Sequence, residues 1–408
     1  MKHLLRSVAG LLALSACHSQ TQPTTANAPA ATPPSPAAPP AVAADSPGAS
    51  YRVYRGLLPG QADSITLHLV SAPQPRYDAR GLSRYGSYYG PDGHPYEMQS
   101  LSSAPDSVVL TDLSLEHSGP IREGNYAQPV WHLKQQADGS LAGSDASGQP
   151  LRLRRVGSPG GLTFAVRCLA DSLAAYPQQA DSPKARFNLQ VLVPMGNPAA
   201  LAATMLRDLR GDTLDGLAAP TLPALYQQQR DTFYKEYRAD IADMLANTPA
   251  GERPSLTLNY DDQQSTSVLF HQGSLLSVGF FSYSYSGGAH GSNGTTVASY
   301  DLRTGRRLRY DDIFLPTAAT QLPTLLAQAV RPLLGLKPTE LLEKSLFVAK
   351  MPITHNVCLT SGGAIFCYEP YEIASYAQGE VRVFVPLAQL RPLLREGLPL
   401  PGPAVALR

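Results

Sequence analysis

Charge is scarce in this chain. Asp, Glu, Lys and Arg make up 16% of its 408 residues, where roughly a quarter is typical of soluble domains. The formal net charge is only +1. There is no basic cluster and no interleaving of basic with aromatic residues, so nucleic acid is not an expected partner. Long apolar runs are missing too. A bilayer-spanning helix takes about 20 apolar residues. The run from Leu4 to Leu14 is too short. Leu275 to Phe281 is interrupted by Ser277 and Gly279, and Leu322 to Leu336 by Pro323, Gln328, Arg331 and Pro332. Also absent are the Gly-x-Ser-x-Gly elbow, His-Glu-x-x-His, Cys-x-x-Cys and a phosphate-binding Gly-rich loop with Lys. No cofactor and no metal are expected. Tryptophan occurs once, at Trp131.

What is present begins at the amino terminus. Lys2, His3 and Arg6 make a basic start, Leu4 to Leu14 an apolar stretch, and Leu14-Ser15-Ala16-Cys17 its end. This leader resembles a bacterial lipoprotein signal. The resemblance implies cleavage before Cys17 and lipidation of Cys17, so that residues 1–17 are the signal with its lipid-bearing cysteine. The anchor is then acyl chains rather than a helix, and stable anchoring takes more than one chain. Loss of Lys2 and Arg6 takes the net charge from +1 to near −1. His18-Ser19 lacks the acidic residue that retains lipoproteins at the inner membrane of enteric bacteria. The expected location is therefore the cell envelope, extracytoplasmic, at the outer rather than the inner membrane. Residues 18–50 are almost all Ala, Pro, Thr and Ser with one charge, Asp45. Such a segment cannot bury a core. As extended polyproline structure, about thirty residues would reach up to ~100 Å.

Beyond the linker, residues 51–160 read as an all-β domain, a meander or small barrel. Short strand candidates from Tyr51–Leu57 to Leu151–Val156 alternate with turn signals such as Pro91-Asp92-Gly93 and Ala137-Asp138-Gly139. One of these candidates is Ser107–Glu116. From Gly161 the pattern is mixed. Strands at Leu162–Leu169 and Ala185–Pro194 precede a helix at Ala199–Leu209, capped by Asn197 with Pro198 at its first position. A longer helix follows at Thr221–Asn247, with Leu225, Phe233, Tyr237 and Ile241 at helical spacing. Further strands, a helix at Leu322–Leu334, a hairpin at Val357–Tyr368 and a short closing helix complete the order. The fold class is α+β. The expected division is 51–160, a companion region 161–260, a domain 261–395 and a tail 396–408.

Four cysteines are present. Cys168 is expected as a core residue of its strand. Around a two-residue turn at Gly362-Gly363, Ser361 would face Ala364 and Cys358 would face Cys367. Opposed residues hold their Cβ atoms about 4.5–5.5 Å apart, close to disulfide reach. In an oxidising compartment they form a bridge, or else they are two buried thiols in a sheet.

Several segments between Tyr260 and Leu390 recur together in one family. They are Ser284-Tyr285-Ser286-Gly287-Gly288-Ala289-His290-Gly291, Tyr300-Asp301-Leu302-Arg303-Thr304-Gly305, Leu308-Arg309-Tyr310-Asp311-Asp312-Ile313-Phe314, Tyr368 to Gly379, and Val383-Phe384-Val385-Pro386-Leu387. The segment resembles the RsiV-like extracytoplasmic domain of unknown function. That domain forms the outer part of a lysozyme-sensing anti-sigma factor and accompanies a peptidoglycan deacetylase domain. Family members commonly carry proline where this chain has Ser375. The resemblance implies an extracytoplasmic binding module that engages lysozyme or a cell-wall component.

His290, inside Gly287-Gly288-Ala289-His290-Gly291, is the sharpest single candidate. In a catalytic role it would need Asp301, Asp311 or Asp312 as partner. In a structural role it would hydrogen-bond across a glycine-built turn. A metal site would recruit His271 or His355, without tight ligand spacing. Asp311-Asp312 reads as an acid/base pair or as a helix cap. Tyr283, Tyr285, Tyr368, Tyr371 and Tyr376 form either an aromatic contact surface or the packed face of a sheet. The leading expectation is a lipid-anchored, non-enzymatic binding protein whose contact surface is Tyr283, Tyr285, Gly287, Gly288, His290, Tyr368, Tyr371 and Tyr376. The alternative is a cell-wall-modifying hydrolase using His290 with Asp311 or Asp312.

Overall fold

A computed structural model describes residues 45–73, 81–100, 106–119, 128–179, 181–196, 199–211, 218–247 and 258–401. Cys17, most of the Pro/Ala-rich linker and the caps Asn197 and Pro198 lie outside the described residues. No helix among the described residues is long and apolar enough to cross a membrane.

Eight antiparallel strands form the first layer. They are β1 (Ser50–Leu57), β2 (Ser64–Pro73), β3 (Leu82–Tyr89), β4 (Pro95–Ser100), β5 (Ser107–Asp112), β6 (Val130–Gln135), β7 (Leu141–Ser144) and β8 (Pro150–Val156). Each pairs with the next, and β8 returns to β1 through Val53 with Val156, so the meander closes into a barrel. Alternation fills it. Leu151 and Leu153 point inward between exposed Arg152 and Arg154, and Leu110, Trp131 and Met98 join the same core. The strand expected to run from Ser107 to Glu116 stops at Asp112. There Asp112 Oδ1 accepts the backbone N–H of Ser114 at 2.9 Å and turns the chain into the one-turn helix α1 (Leu115–Ser118). Strand β4 has no alternating apolar signal and opens on a proline, so pattern reading passes over it.

The second layer is a six-stranded sheet of order β14-β13-β12-β11-β10-β9. Its parts are β9 (Thr163–Ala174), β10 (Lys184–Met195), helices α2 (Ala199–Leu209) and α3 (Leu222–Asn247), β11 (Tyr260–Gln272), β12 (Leu275–Tyr285), β13 (Ser292–Asp301) and β14 (Arg306–Leu308). Strands β10 and β11 are parallel, and a parallel pair needs a crossover connection, which α2 and α3 supply. The two helices bury Leu201, Met205, Leu225 and Tyr237 with Phe187, Leu189, Val278 and Phe280 of the sheet. The boundary drawn at 260/261 therefore falls at the head of a central strand whose pairing joins the two regions. The linker, too, ends sooner than residue 50. Asp45 Oδ1 accepts Val166 N–H at 2.7 Å and Ser46 Oγ accepts Cys168 N–H at 2.9 Å, both on β9.

The third layer comprises α4 (Tyr310–Ile313), α5 (Ala318–Leu333), a three-stranded sheet β15 (Val357–Leu359), β16 (Gly363–Tyr368) and β17 (Val381–Pro386), and α6 (Leu387–Leu390). Leu322, Leu326 and Val330 form the buried stripe of α5, packed in one core with Phe314, Phe366 and Val383. The expected tail is partly structural, since Leu398 and Leu400 pack against this core.

The β15–β16 register differs from the sequence expectation. Thr360 N–H bonds Gly363 C=O at 2.9 Å, so Ser361-Gly362 form the tip and Cys358 faces Ile365, not Cys367. The reason is a close approach. A Cβ on Gly362 would stand 1.5 Å from the Asp92 carbonyl oxygen, so the glycine is needed where the hairpin tip meets the β3–β4 turn of the barrel. Cys358 and Cys367 are both free thiols, fully buried in a small cluster with Leu269, Val297 and Ile365. Burial pushes the Cys358 thiol up to about 12. Cys168 is half-buried on β9 rather than in the core.

Candidate functional site

The β12–β13 hairpin and the loop after β16 converge at one end of the second sheet. Gly287 and Gly288 take φ values of 87° and 90°, which L-residues with side chains rarely adopt. This tight turn brings His290 back over Tyr376, with ring centroids 4.0 Å apart and planes 18° from parallel. Tyr371 stacks on Tyr376 at 5.8 Å. Its hydroxyl lies 3.4 Å from His290 Nε2. The Gly291 carbonyl, 2.9 Å from Nδ1, can only accept. Nδ1 therefore donates to it. The three rings make a platform, with Tyr371 58% exposed.

Tyr371 is the only non-glycine residue at positive φ among the described residues, at 72°. A tyrosine there costs about 1 kcal/mol or more. The surrounding loop holds it. Tyr371 N–H bonds Ala374 C=O and Glu372 N–H bonds Glu369 C=O, both at 3.0 Å. Ser375, at φ −66° and ψ 159°, keeps the dihedrals a proline would impose.

The other expected surface residues divide. Tyr285 is half-buried and donates to Gly288 C=O at 3.0 Å, bracing the hairpin turn. Tyr283 packs against Gly291, where a Cβ would come within 2.5 Å of its ring. Tyr368 is not on the surface: it is fully buried and its hydroxyl donates to Pro352 C=O at 2.7 Å. Asp311 and Asp312 do not join His290. They sit on α4, which follows β14 where Leu308 pairs with Ser299 near the far end of β13, so most of that ten-residue strand, at ~3.3 Å per residue, separates them from the hairpin tip. Asp312 Oδ2 instead accepts Arg309 N–H at 3.0 Å as part of a cap. Asp301, at that same far end, is held by Arg303, whose guanidinium keeps its carboxyl below the usual range. His271 is buried on β11 and His355 stacks on Tyr310. Among the described residues no group of three or more His, Cys, Asp or Glu side chains could hold a metal ion.

Two constellations escaped the sequence. At the barrel mouth His117 Nδ1 lies 2.7 Å from Asp112 Oδ2 and 3.3 Å from Ser114 Oγ. Both partners share one ring nitrogen, whereas a nucleophilic relay needs them on opposite nitrogens. The trio therefore ties α1 to the end of β5, and Tyr88 donates into it at 3.0 Å. The second constellation lies in a cleft of about 580 Å³ between the barrel and the six-stranded sheet. Arg382 of β17 closes its inner end. Its Nη1 meets Glu97 of β4 at 2.7 Å, its Nε meets Glu380 at 2.5 Å, and its Nη2 donates to Thr295 Oγ1 at 3.1 Å. Burial pushes Glu97 up, against the pull of the guanidinium. The 3₁₀ turn Tyr376–Gln378 divides the two regions, with Tyr376 on the platform and Gln378 lining the cleft.

Comparisons place the third layer. Residues 311–388 match the family model described as a protein of unknown function, DUF3298, so a DUF3298 domain runs from α4 into α6. Tyr371 and Tyr376 lie inside the match and His290 outside it. Among solved structures, a DUF3298-family member from Bacteroides fragilis is 22% identical with a TM-score of 0.51, covering 58% of this chain and 95% of that one. A DUF3298-family protein from Pseudomonas aeruginosa PAO1 is 21% identical with a TM-score of 0.42, covering 59% of this chain and 97% of that one. The first likeness is one of fold. Comparison with curated proteins finds no match.

Proposed function

We propose that this chain, with its DUF3298 domain, is a lipid-anchored, extracytoplasmic binding protein of the cell envelope. On this reading Cys17 carries the anchor, the Pro/Ala-rich segment is a tether, and the RsiV-like module engages lysozyme or a cell-wall-associated ligand. The observation that carries the reading is the platform. Tyr371 spends backbone strain to hold an exposed ring beside Tyr376 and His290, and strain of this kind concentrates at functional sites. Stacked aromatic anchors also dominate many protein interfaces. Among the described residues no carboxylate pairs with His290, whose partners are Gly291 C=O and the Tyr371 hydroxyl, and this favours binding over hydrolysis.

The test uses residues 18–408, without the lipid, passed over immobilised lysozyme and over insoluble peptidoglycan. Retention on one of them, lost in Tyr371→Ala with the melting temperature unchanged, is the expected result. Retention on neither, or retention indifferent to Tyr371→Ala and His290→Ala alike, removes the platform from the binding surface. Labelling with radioactive palmitate in cells, abolished by Cys17→Ala, checks the anchor separately.

A further inference from the structure

The cleft between barrel and sheet has a chemistry that the platform lacks. Its volume of about 580 Å³ falls in the range of roughly 300–1,000 Å³ usual for small-ligand sites. The floor is the sheet face turned away from α2 and α3. Cross-strand register spreads amides over it: Asn188 of β10 lies opposite Gln263 of β11, which lies opposite Tyr283, which lies opposite Asn293 of β13. Gln190, two residues along β10, shares that face. Gln190 gives one amide hydrogen to Pro73 C=O and Gln263 one to Asp261, which leaves each with a second donor hydrogen and an acceptor oxygen, the pattern that neighbouring hydroxyls on a sugar ring complement. Phe281, between Ser265 and Thr295 on the same face, is 38% exposed. It gives a flat apolar surface of the kind on which a sugar's C–H face packs.

Two polar atoms at this cleft are buried and lack a hydrogen-bond partner, Tyr85 Oη on the barrel wall and Gln378 Nε2 at the inner end. Buried polar groups in native proteins nearly always find partners; both residues are only half-buried as a whole, so a turn of either side chain brings its polar atom to a hydroxyl-rich ligand. Charge narrows the class further. Arg382 is already closed by Glu97 and Glu380, and Glu116 adds another carboxylate to the wall. Glu116 is itself held by His94 at 3.3 Å, so among the described residues the lining offers an anion no unpaired cation.

We infer that this cleft binds a short neutral oligosaccharide, held by the amides of the floor, by Phe281 beneath one sugar face, and by Tyr85 and Gln378. It is a second site and does not rest on the platform reading. Calorimetric titration of residues 18–408 with chitotriose, cellotriose and maltotriose tests it. Saturable binding of at least one is expected. Asn293→Ala and Phe281→Ser, both at the open sheet face, should each weaken it about tenfold, the loss of roughly one hydrogen bond or one stacking contact. Their melting temperatures should stay near wild type, and Tyr371→Ala should leave affinity intact. Absence of saturable heat with all three sugars at millimolar concentration overturns the inference. So does binding that ignores both cleft variants, or binding lost in Tyr371→Ala, which would put the sugar on the platform.

Discussion

Arg382 of the DUF3298 domain and Glu97 of the barrel form an ion pair at 2.7 Å. The contact ties a strand near the carboxyl end of the chain to one near the start of its folded part. All three guanidinium nitrogens are used, with Glu380 and Thr295 as the other partners. Removing Arg382 leaves two partly buried carboxylates facing each other.

Arg382→Ala should therefore destabilise the protein by about 2–4 kcal/mol. Arg382→Lys should recover only part of that loss, because an ammonium cannot span the planar fork. Denaturant melts of the two variants check the ranking. Equal stability of Arg382→Ala and wild type would show that the triad contributes nothing net.

Tyr371 predicts a trade-off. Tyr371→Gly relaxes a residue held at φ 72° and should raise stability by about 1 kcal/mol while abolishing retention on the immobilised ligand. A variant that loses both stability and retention would mean that the ring mainly packs the loop.

Gly362 predicts an intolerant position. A Cβ there meets the Asp92 carbonyl at 1.5 Å, so Gly362→Ala must part the hairpin tip from the barrel turn, at about 2–3 kcal/mol. Chemical denaturation reads the cost, and Gly157→Ala, with open space around it and no positive φ, serves as the comparison.

Acid should loosen the barrel–sheet contact. His68 lies between Tyr51 and Tyr89, and Tyr89 donates to the His271 carbonyl at 2.7 Å. Burial lowers His68 to about 3 and His271 to about 4. Both lie below the ordinary value near 6.5, so the unfolded chain takes up protons that the native state refuses. Stability from these two residues is full above about pH 6.5 and declines as pH falls toward 4 and then 3. Melting temperatures between pH 7.5 and 4 should show that decline. His271→Leu, which removes a ring with both nitrogens buried and unpartnered, should flatten it.

Much of the fold was legible because local rules carried it. Strands such as β8 alternate cleanly, α2 falls at the expected residues, and the turn chemistry between strands marks a meander. Strand β4 was not legible, since it depends on neighbours for its pairing. The hairpin register was off for a related reason: two glycines make two equivalent local turns, and the contact with Asp92 selects between them. The platform was partly legible, through His290, Tyr371 and Tyr376. Tyr368 was misjudged because its position in β16 buries it, and the Asp311–Asp312 pair because most of the length of β13 separates it from His290.

By itself the sequence determined the α+β class, the closed run of short strands as one of two options, the glycine-built hairpin and the aromatic loop. These follow from side-chain periodicity and backbone preference, which act over a few residues. Only the tertiary structure decided that Glu97 and Glu380 share one arginine, that amides from separate strands of the second sheet floor a single cleft, and that Tyr371 stands strained and exposed beside His290. Those relations join residues far apart along the chain, and burial and cross-strand register bring them together.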